Sequence, residues 1–171
     1  MISPIYVGFG YDSHNWISRV IAWFIKAKIS HTFFLYKDEL FGWVALGANA
    51  RGFYPETVKT AWSPSYVVGL YAVPKLDLAL AMNRDKLGAP YDYTGLVGMT
   101  WVEFCWHVLR RRVRNPLTTP HAYFCSAIVA QVLDSDGSKL GAPRSIDPAE
   151  VRDACVAAKY PTADYATVIA S

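Results

Sequence analysis

The sequence contains few cysteines and few charged residues. Its three cysteines (Cys105, Cys125 and Cys155) are an odd number without CxxC spacing, so we expect neither a disulfide framework nor a zinc site. Charged residues make up only 18% of the chain, and the formal net charge is +3. The basic residues are not interleaved with a glycine-rich or aromatic pattern that would bind nucleic acid. The composition therefore predicts no metal, no cofactor and no nucleic-acid partner.

The sequence also lacks a hydrophobic run long enough to cross a membrane. Its most apolar stretches, residues 16–29 and 93–109, are interrupted by charged residues and are too short to span a bilayer. The N-terminal residues have neither a basic region nor a long apolar region, so no signal peptide is expected. We therefore expect no transmembrane segment, and we interpret both apolar stretches as helices of the protein core.

Hydrophobic residues are abundant, at 53% of 171 positions, and 15% of the residues are aromatic. This composition predicts a single domain over residues 1–171 with a sizeable core. Alternating, β-branched and aromatic stretches predict strands at residues 5–9, 30–36, 41–46 and 66–73. Apolar residues at helical spacing predict helices at residues 16–25, 76–87, 93–108, 120–133 and 148–155. The predicted fold class is α+β with an antiparallel sheet, and residues 160–171 either add an edge strand or lie along the surface.

Cys125 lies near the start of the helix predicted at residues 120–133, because Pro120 can only stand before or at a helix start. Backbone N–H groups and the helix dipole favour a thiolate there, so we expect the pKa of Cys125 to be lowered and its sulfur to be a usable nucleophile. A free cysteine is also among the most buried residue types, so an inert core role stays open. Catalysis requires in addition an imidazole within hydrogen-bond reach and a group that orients it.

Four arginines follow the helix predicted at residues 93–108. They are Arg110, Arg111, Arg112 and Arg114. Cations at a helix C-terminus complement the helix dipole, so a solvated helix end is one interpretation of the cluster. A site for an anionic substrate or a lipid headgroup is the other, and the sequence does not decide between them.

Three short motifs follow one another along the chain. They are a strand-initial histidine, His31, within Ser-His-Thr-Phe-Phe, the turn Gly-Ala-Pro-Tyr-Asp at residues 88–92, and a helix-initial cysteine, Cys125, within Tyr-Phe-Cys-Ser. This order resembles the circularly permuted branch of the NlpC/P60 superfamily, papain-like amidases of the YaeF/YiiX type, in which an SH strand, a GxPYD turn and a (Y/F)CS helix recur in that order. The resemblance covers roughly residues 13–133, most of the chain.

The resemblance implies a papain-like fold with the catalytic cysteine at the N-terminus of a core helix. Cys125 would be the nucleophile, and His31 would be the base that afterwards protonates the leaving amine. The backbone N–H of Cys125 would stabilise the oxyanion. Tyr91 of the turn would line the substrate cleft. We also predict that His121, four residues before Cys125, lies in a loop or at the cleft rim and contributes to substrate binding.

One position departs from the family pattern. Relatives generally carry a glutamate on the strand after the histidine strand, and Gly47 stands at the matching position here. Asn49 is the nearest polar substitute, and an asparagine can orient the histidine in papain-like sites. Asn49 can equally be an ordinary turn residue. The predicted catalytic set is therefore Cys125, His31 and Asn49, with the role of Asn49 open.

The resemblance implies a thiol hydrolase, a cysteine peptidase or amidase, that cleaves an amide bond in the stem peptides of bacterial peptidoglycan. A single domain without a signal peptide or a wall-binding module would suit a virion-associated enzyme of a phage tail, with phage tail proteins as partners, or a cytoplasmic recycling enzyme. Two alternatives stay open. One is a hydrolase or acyltransferase that uses the same residues on an acyl ester or thioester of a lipid. The other, which Gly47 motivates, is a papain-like structural subunit without turnover.

Overall fold

The centre of the protein is an antiparallel sheet of five strands. The computed structural model describes residues 4–49, 51–58, 65–73, 86–111, 113–117, 119, 121–135 and 146–171. The strands are β1 (Ile5–Gly10), β2 (His31–Asp38), β3 (Gly42–Asn49), β4 (Gly52–Thr57) and β5 (Val67–Val73). They lie in the order β4-β3-β2-β1-β5, and each neighbouring pair is antiparallel.

The helices of the described residues are α1 (Trp16–Phe24), α2 (Tyr93–Leu109), α3 (Cys125–Ser135), α4 (Pro148–Ala157) and α5 (Tyr165–Ala170). Polar side chains cap several of their N-termini. The Asn15 side chain accepts from the backbone N–H groups of Ile17 and Ser18, and the Asp92 side chain accepts from that of Gly95. α4 begins with a capping box. The helices and the sheet together confirm the predicted α+β class.

One strand of the sheet was not predicted from the sequence. β4 pairs with β3 from Gly52 to Thr57, a stretch that the sequence analysis left without a strand. It contains Pro55, which cannot donate a hydrogen bond to a neighbouring strand. β4 tolerates this proline because it is an edge strand of the sheet.

The C-terminal segment pairs with the edge of the sheet at one point and then forms a helix, so neither a full edge strand nor a purely surface course is present. Thr162 makes an isolated antiparallel bridge with Tyr71 of β5. Residues 165–170 form α5, since the Asp164 side chain accepts from the backbone N–H of Thr167 and caps the helix. Tyr165 and Val168 share one face of this helix and bury it against the sheet. The helix predicted at residues 76–87 lies outside the described residues apart from its last two positions.

Different helices cover the two faces of the sheet. α3 and α4 pack on the face that contains Phe34, and α5 packs on the face that contains Phe33. Consecutive strand residues point to opposite faces, so these two phenylalanines belong to different core layers. α3 contacts both β2 and β3, which brings its first residue, Cys125, close to the start of β2.

Gly52 connects β4 to the turn that precedes α2. The backbone N–H of Phe53 donates to the carbonyl oxygen of Ala89 at 2.9 Å, and that of Gly88 donates to the carbonyl oxygen of Phe53 at 3.0 Å. Gly52 has a φ of +115°, and a Cβ atom there would lie 2.5 Å from the carbonyl oxygen of Ala89. Both the backbone angle and the close approach therefore require glycine.

We expect Gly52→Ala to lower the free energy of unfolding by about 2 kcal/mol or more, because backbone strain and a backbone clash act together. Gly42→Ala is the matched control. Gly42 also has a positive φ, +72°, but nothing lies within 4 Å of the added Cβ atom. It should cost about 1 kcal/mol. Urea unfolding of both variants measures the difference, and equal losses would contradict this explanation.

Candidate active site

Cys125 is the first residue of α3, and its side chain is only 5% exposed. The hydroxyl group of Ser126 donates to the carbonyl oxygen of Ile146 at 2.7 Å, which holds the first turn of α3 against the segment before α4. The thiol therefore lies at the N-terminus of a core helix, where the sequence predicted it.

The turn at residues 88–92 lies beside the start of α3. Tyr91 and Tyr123 form a short parallel bridge. The backbone N–H of Tyr123 donates to the carbonyl oxygen of Pro90 at 3.1 Å, and that of Asp92 donates to the carbonyl oxygen of Tyr123, also at 3.1 Å. Backbone hydrogen bonds thus hold the turn at residues 88–92 against Tyr123, which lies two residues before Cys125.

Thr32, the second residue of β2, lies next to the Cys125 thiol. Its side chain is fully buried, and its hydroxyl oxygen has no hydrogen-bond partner within standard geometry in the described part of the chain. Burial raises the pKa of the Cys125 thiol. The backbone and side chain of Thr32 and the backbone N–H groups of Ser126 and Cys125 act in the opposite direction, because they stabilise the thiolate.

The raised pKa of Cys125 differs from the value expected from sequence. The backbone N–H groups at the start of α3 do favour the thiolate, as the position in the helix predicts. Burial outweighs them, and burial depends on tertiary packing that the local sequence does not show. Cys125 is therefore a thiol, not a thiolate, at neutral pH.

His31 is the first residue of β2 and forms part of the wall of the site. Its ring centroid lies 6.1 Å from that of Phe33 and 6.5 Å from that of Tyr66. A Cβ atom added to Gly47 would lie 3.2 Å from Nε2 of His31, so position 47 adjoins the imidazole. Removal of the ring from water lowers the pKa of His31 to about 4. The imidazole is therefore neutral at neutral pH and can accept a proton.

Asn49 lies at the end of β3 and holds the turn to β4. Its side-chain oxygen accepts from the backbone N–H of Arg51 at 2.8 Å, and its Nδ2 donates to Oε1 of Glu56 at 2.7 Å. The first of these bonds is typical of an Asx turn. The turn role that the sequence left open is thus present, and an orienting contact with His31 stays a prediction.

A cavity of about 320 Å³ opens beside Cys125, between α1 and α2. Its wall is almost entirely apolar. Side chains of both helices contribute to it, among them Ile17, Val20, Ile21, Phe24, Leu96 and Val97. The environment on this side of the thiol favours an apolar group over a charged one.

A second opening, a groove of about 820 Å³ that we call the polar groove, is lined by many polar residues, among them His31, Asn49, Glu56 and Tyr66. Tyr91 lines both this groove and the apolar cavity. Burial, and then the nearby Cys125, raise the pKa of Tyr91 well above its ordinary value, so its hydroxyl group stays protonated. An apolar cavity thus adjoins the thiol, a more polar groove adjoins the imidazole, and Tyr91 lies between them.

His121 lies apart from the rest of the predicted site. It is exposed and has a left-handed backbone with φ of 61°. His121 is not among the described residues that line the apolar cavity or the polar groove. Its role in substrate binding stays a prediction. The described residues also contain no cluster of three or more His, Cys, Asp or Glu that could hold a metal ion.

Three residues of the site were not singled out from the sequence: Thr32, Glu56 and Tyr66. Glu56 lies on β4, which was itself not predicted. The ring of Tyr66 occupies the space where a Cβ atom of residue 10 would stand, so this position requires glycine. Gly10, at the end of β1, was therefore the one sequence signal that a bulky group lies against this point of the strand. Nothing in the sequence indicates that Thr32 faces the thiol, because this contact depends on how α3 packs against β2.

Comparison with protein-family models and with curated proteins identifies no relative of the chain. No protein-family model matches the chain, and a search of the curated proteins finds no significant match. The likeness to the permuted NlpC/P60 branch is therefore a resemblance that depends on three sequence motifs and their order.

Proposed function

We propose that this protein is a thiol hydrolase with a papain-like site, in which Cys125 is the nucleophile and His31 the general base. The observation that carries the proposal is the position of the two residues. Cys125, the first residue of α3, lines the apolar cavity, and His31, the first residue of β2, lines the polar groove. Ser30 and Tyr91 line both openings, so the two openings adjoin each other. A nucleophile and a base at adjoining openings that substrate can enter are the minimum for covalent acyl transfer.

Both groups are neutral before substrate binds, so the proton moves during the attack on the substrate. The sulfur of Cys125 bonds to the carbonyl carbon while His31 takes the thiol proton. The backbone N–H of Cys125 donates to the oxyanion, and His31 then protonates the leaving amine or alcohol as its bond to carbon breaks. In the second half, His31 takes a proton from water as the water oxygen attacks the thioester carbon. His31 then returns this proton to the sulfur as the carbon–sulfur bond breaks, which releases the acid and the free thiol.

Polar residues near His31 would orient the imidazole for these steps. Nε2 of His31 lies 3.2 Å from the position that a Cβ atom of residue 47 would take, which is where relatives carry their glutamate. The hydrogen bond of Asn49 with Glu56 brings a carboxylate into the groove that His31 lines. Through Asn49, Glu56 would support the orientation of His31 that the glutamate replaced by Gly47 provides in relatives.

Two classes of substrate are compatible with this mechanism. The first is an amide in a peptidoglycan stem peptide, which the resemblance implies and which would extend along the polar groove. The second is an acyl ester or thioester of a lipid. The apolar cavity specifically favours this second class, because the acyl group stays on the sulfur while the leaving group departs on the side of the base.

A pair of chromogenic esters tests the proposal. We expect p-nitrophenyl decanoate to have a kcat/KM at least about tenfold above that of p-nitrophenyl acetate, because the longer chain buries apolar surface in the cavity. Ile21→Trp, which fills the cavity, should reduce the decanoate rate and leave the acetate rate nearly unchanged. Equal rates for both esters, with release of stem peptides from purified peptidoglycan, would instead support the amide class.

The non-catalytic alternative has a distinct outcome. A structural subunit would turn over neither the esters nor peptidoglycan, and Cys125→Ala would leave its biological activity unchanged. Association with a phage tail is tested separately, by detection of the protein in purified virions.

A further inference from the structure

A broad apolar surface on α1 and α2 is left exposed. We name it the α1–α2 surface and define it by Trp16, Val20, Trp23, Val97, Trp101 and Phe104. Trp16 is 71% exposed, Trp23 is 73% exposed and Trp101 is 50% exposed. Contiguous exposed apolar surface of this kind, with several tryptophans, is unusual on a monomer and marks a site of interaction.

The residues of this surface lie next to one another in space. Phe24 of α1 and Val97 of α2 both line the apolar cavity beside Cys125. The same two residues line a second open groove, together with Trp101 and Phe104. The two helices therefore present one continuous surface, and the cavity at the thiol opens within it.

The exposed charged residues described in α1, in α2 and in the segments that directly follow these helices are all basic. Between residues 14 and 36 the sequence has three basic residues and no Asp or Glu, and between residues 104 and 133 it has four basic residues and again no Asp or Glu. The described members of this set are exposed: Arg19, Lys26, Lys28, Arg110, Arg111 and Arg114. An apolar surface with basic residues at its edge complements a partner with negative charge.

We propose that the α1–α2 surface docks on a lipid bilayer that contains anionic headgroups. Tryptophans with flanking lysines and arginines are the residues that occupy the boundary between headgroups and acyl chains. Within the described residues no helix is long and apolar enough to cross a membrane. α2 also carries a buried Glu103 that pairs with His107 at 3.3 Å. α1 and α2 therefore lie in the plane of the bilayer surface.

A second copy of the chain fits the α1–α2 surface less well. A twofold contact would bring the same basic residues of both copies together, and like charges at close range repel. An anionic bilayer satisfies the tryptophans and the arginines at the same time. It also accounts for the Arg110–Arg114 cluster, which the proposed hydrolase chemistry does not use.

Vesicle co-sedimentation with the full chain tests the proposal, which does not depend on the proposed hydrolase activity. We expect binding to vesicles that contain about one third phosphatidylglycerol in phosphatidylcholine, and weaker binding to phosphatidylcholine alone or at high salt. Trp16→Ser with Trp23→Ser should weaken binding about tenfold or more. Cys125→Ala should bind as wild type does, so a failure of docking and a failure of catalysis are distinguishable.

Matched controls come from other exposed parts of the chain. Leu40→Ser with Phe41→Ser alters two exposed apolar residues in the turn between β2 and β3, at the other end of β2 from His31, and should leave vesicle binding unchanged. Arg111→Gln with Arg114→Gln should remove the preference for anionic vesicles. Arg51→Gln with Arg152→Gln, which makes the same change of charge elsewhere, should retain it.

Three results would overturn the proposal. They are no binding of the wild-type chain to anionic vesicles, equal binding by the double tryptophan variant, and a dimer in sedimentation velocity that this variant abolishes. The last result would assign the α1–α2 surface to a second copy of the chain.

Discussion

Replacing Cys125 with serine is expected to lower the rate of ester hydrolysis by about a thousandfold or more, because the reaction then lacks its nucleophile. Serine has nearly the same shape as cysteine, so the packing at the start of α3 should survive. Initial rates with p-nitrophenyl decanoate measure the loss, and thermal unfolding followed by circular dichroism checks that the fold is intact.

Cys105→Ser and Cys155→Ser are the matched controls for Cys125→Ser. All three cysteines are free and buried, so each change introduces a hydroxyl group into a similar environment. Of the three cysteines, only Cys125 is among the described residues that line the apolar cavity. The control variants should lose some stability but retain most of the rate. A comparable loss of rate in all three variants would mean that the effect is structural and would count against Cys125 as nucleophile.

Replacing His31 with glutamine is expected to lower kcat/KM by about a hundredfold to ten-thousandfold, since the thiol then has no base to take its proton. Desolvation lowers the pKa of His31 to about 4, against 6.5 for an unperturbed histidine. The wild-type protein should therefore keep its activity as the pH falls through 6.5 and lose it only near pH 4, where the imidazole becomes protonated and no longer accepts a proton.

The same shift in pKa has a consequence for stability. The unfolded chain binds a proton at His31 near pH 6.5, and the folded chain does so only near pH 4, so stability declines as the pH falls between these values. His31→Gln should lack this part of the decline. Unfolding measured across the range tests it. A wild-type rate that already falls near pH 6.5 would mean that His31 titrates as an unperturbed histidine and would contradict the lowered pKa.

Local sequence features predicted the first residues of α1, α2 and α4, whereas the helix predicted from residue 120 begins only at Cys125. Asn15, Asp92 and the capping box of α4 give each helix an N-terminal signal that needs no tertiary information. The three motifs likewise indicated the start of β2, the turn before α2 and the start of α3. These parts could be predicted because they depend on residues that are close in sequence.

The parts that sequence did not predict depend on distant residues. β4 contains a proline and forms only because β3 offers it a partner, and Glu56 reaches Asn49 only because β4 forms. The raised pKa of Cys125 depends on its burial between elements far apart in the chain. The apolar cavity forms between α1 and α2, which lie about seventy residues apart in the chain, so no local pattern could indicate it.

The most direct test of the proposed chemistry is to trap the acyl-enzyme. Brief reaction with p-nitrophenyl decanoate, an acid quench and mass spectrometry of the peptides should find a decanoyl group on Cys125 that hydroxylamine removes, as expected for a thioester. Cys105 and Cys155 in the same sample should stay unmodified. The adduct should be absent in Cys125→Ser and should form much more slowly in His31→Gln. Turnover with no adduct at Cys125, or equal labelling of all three cysteines, would contradict the assignment of Cys125 as the nucleophile.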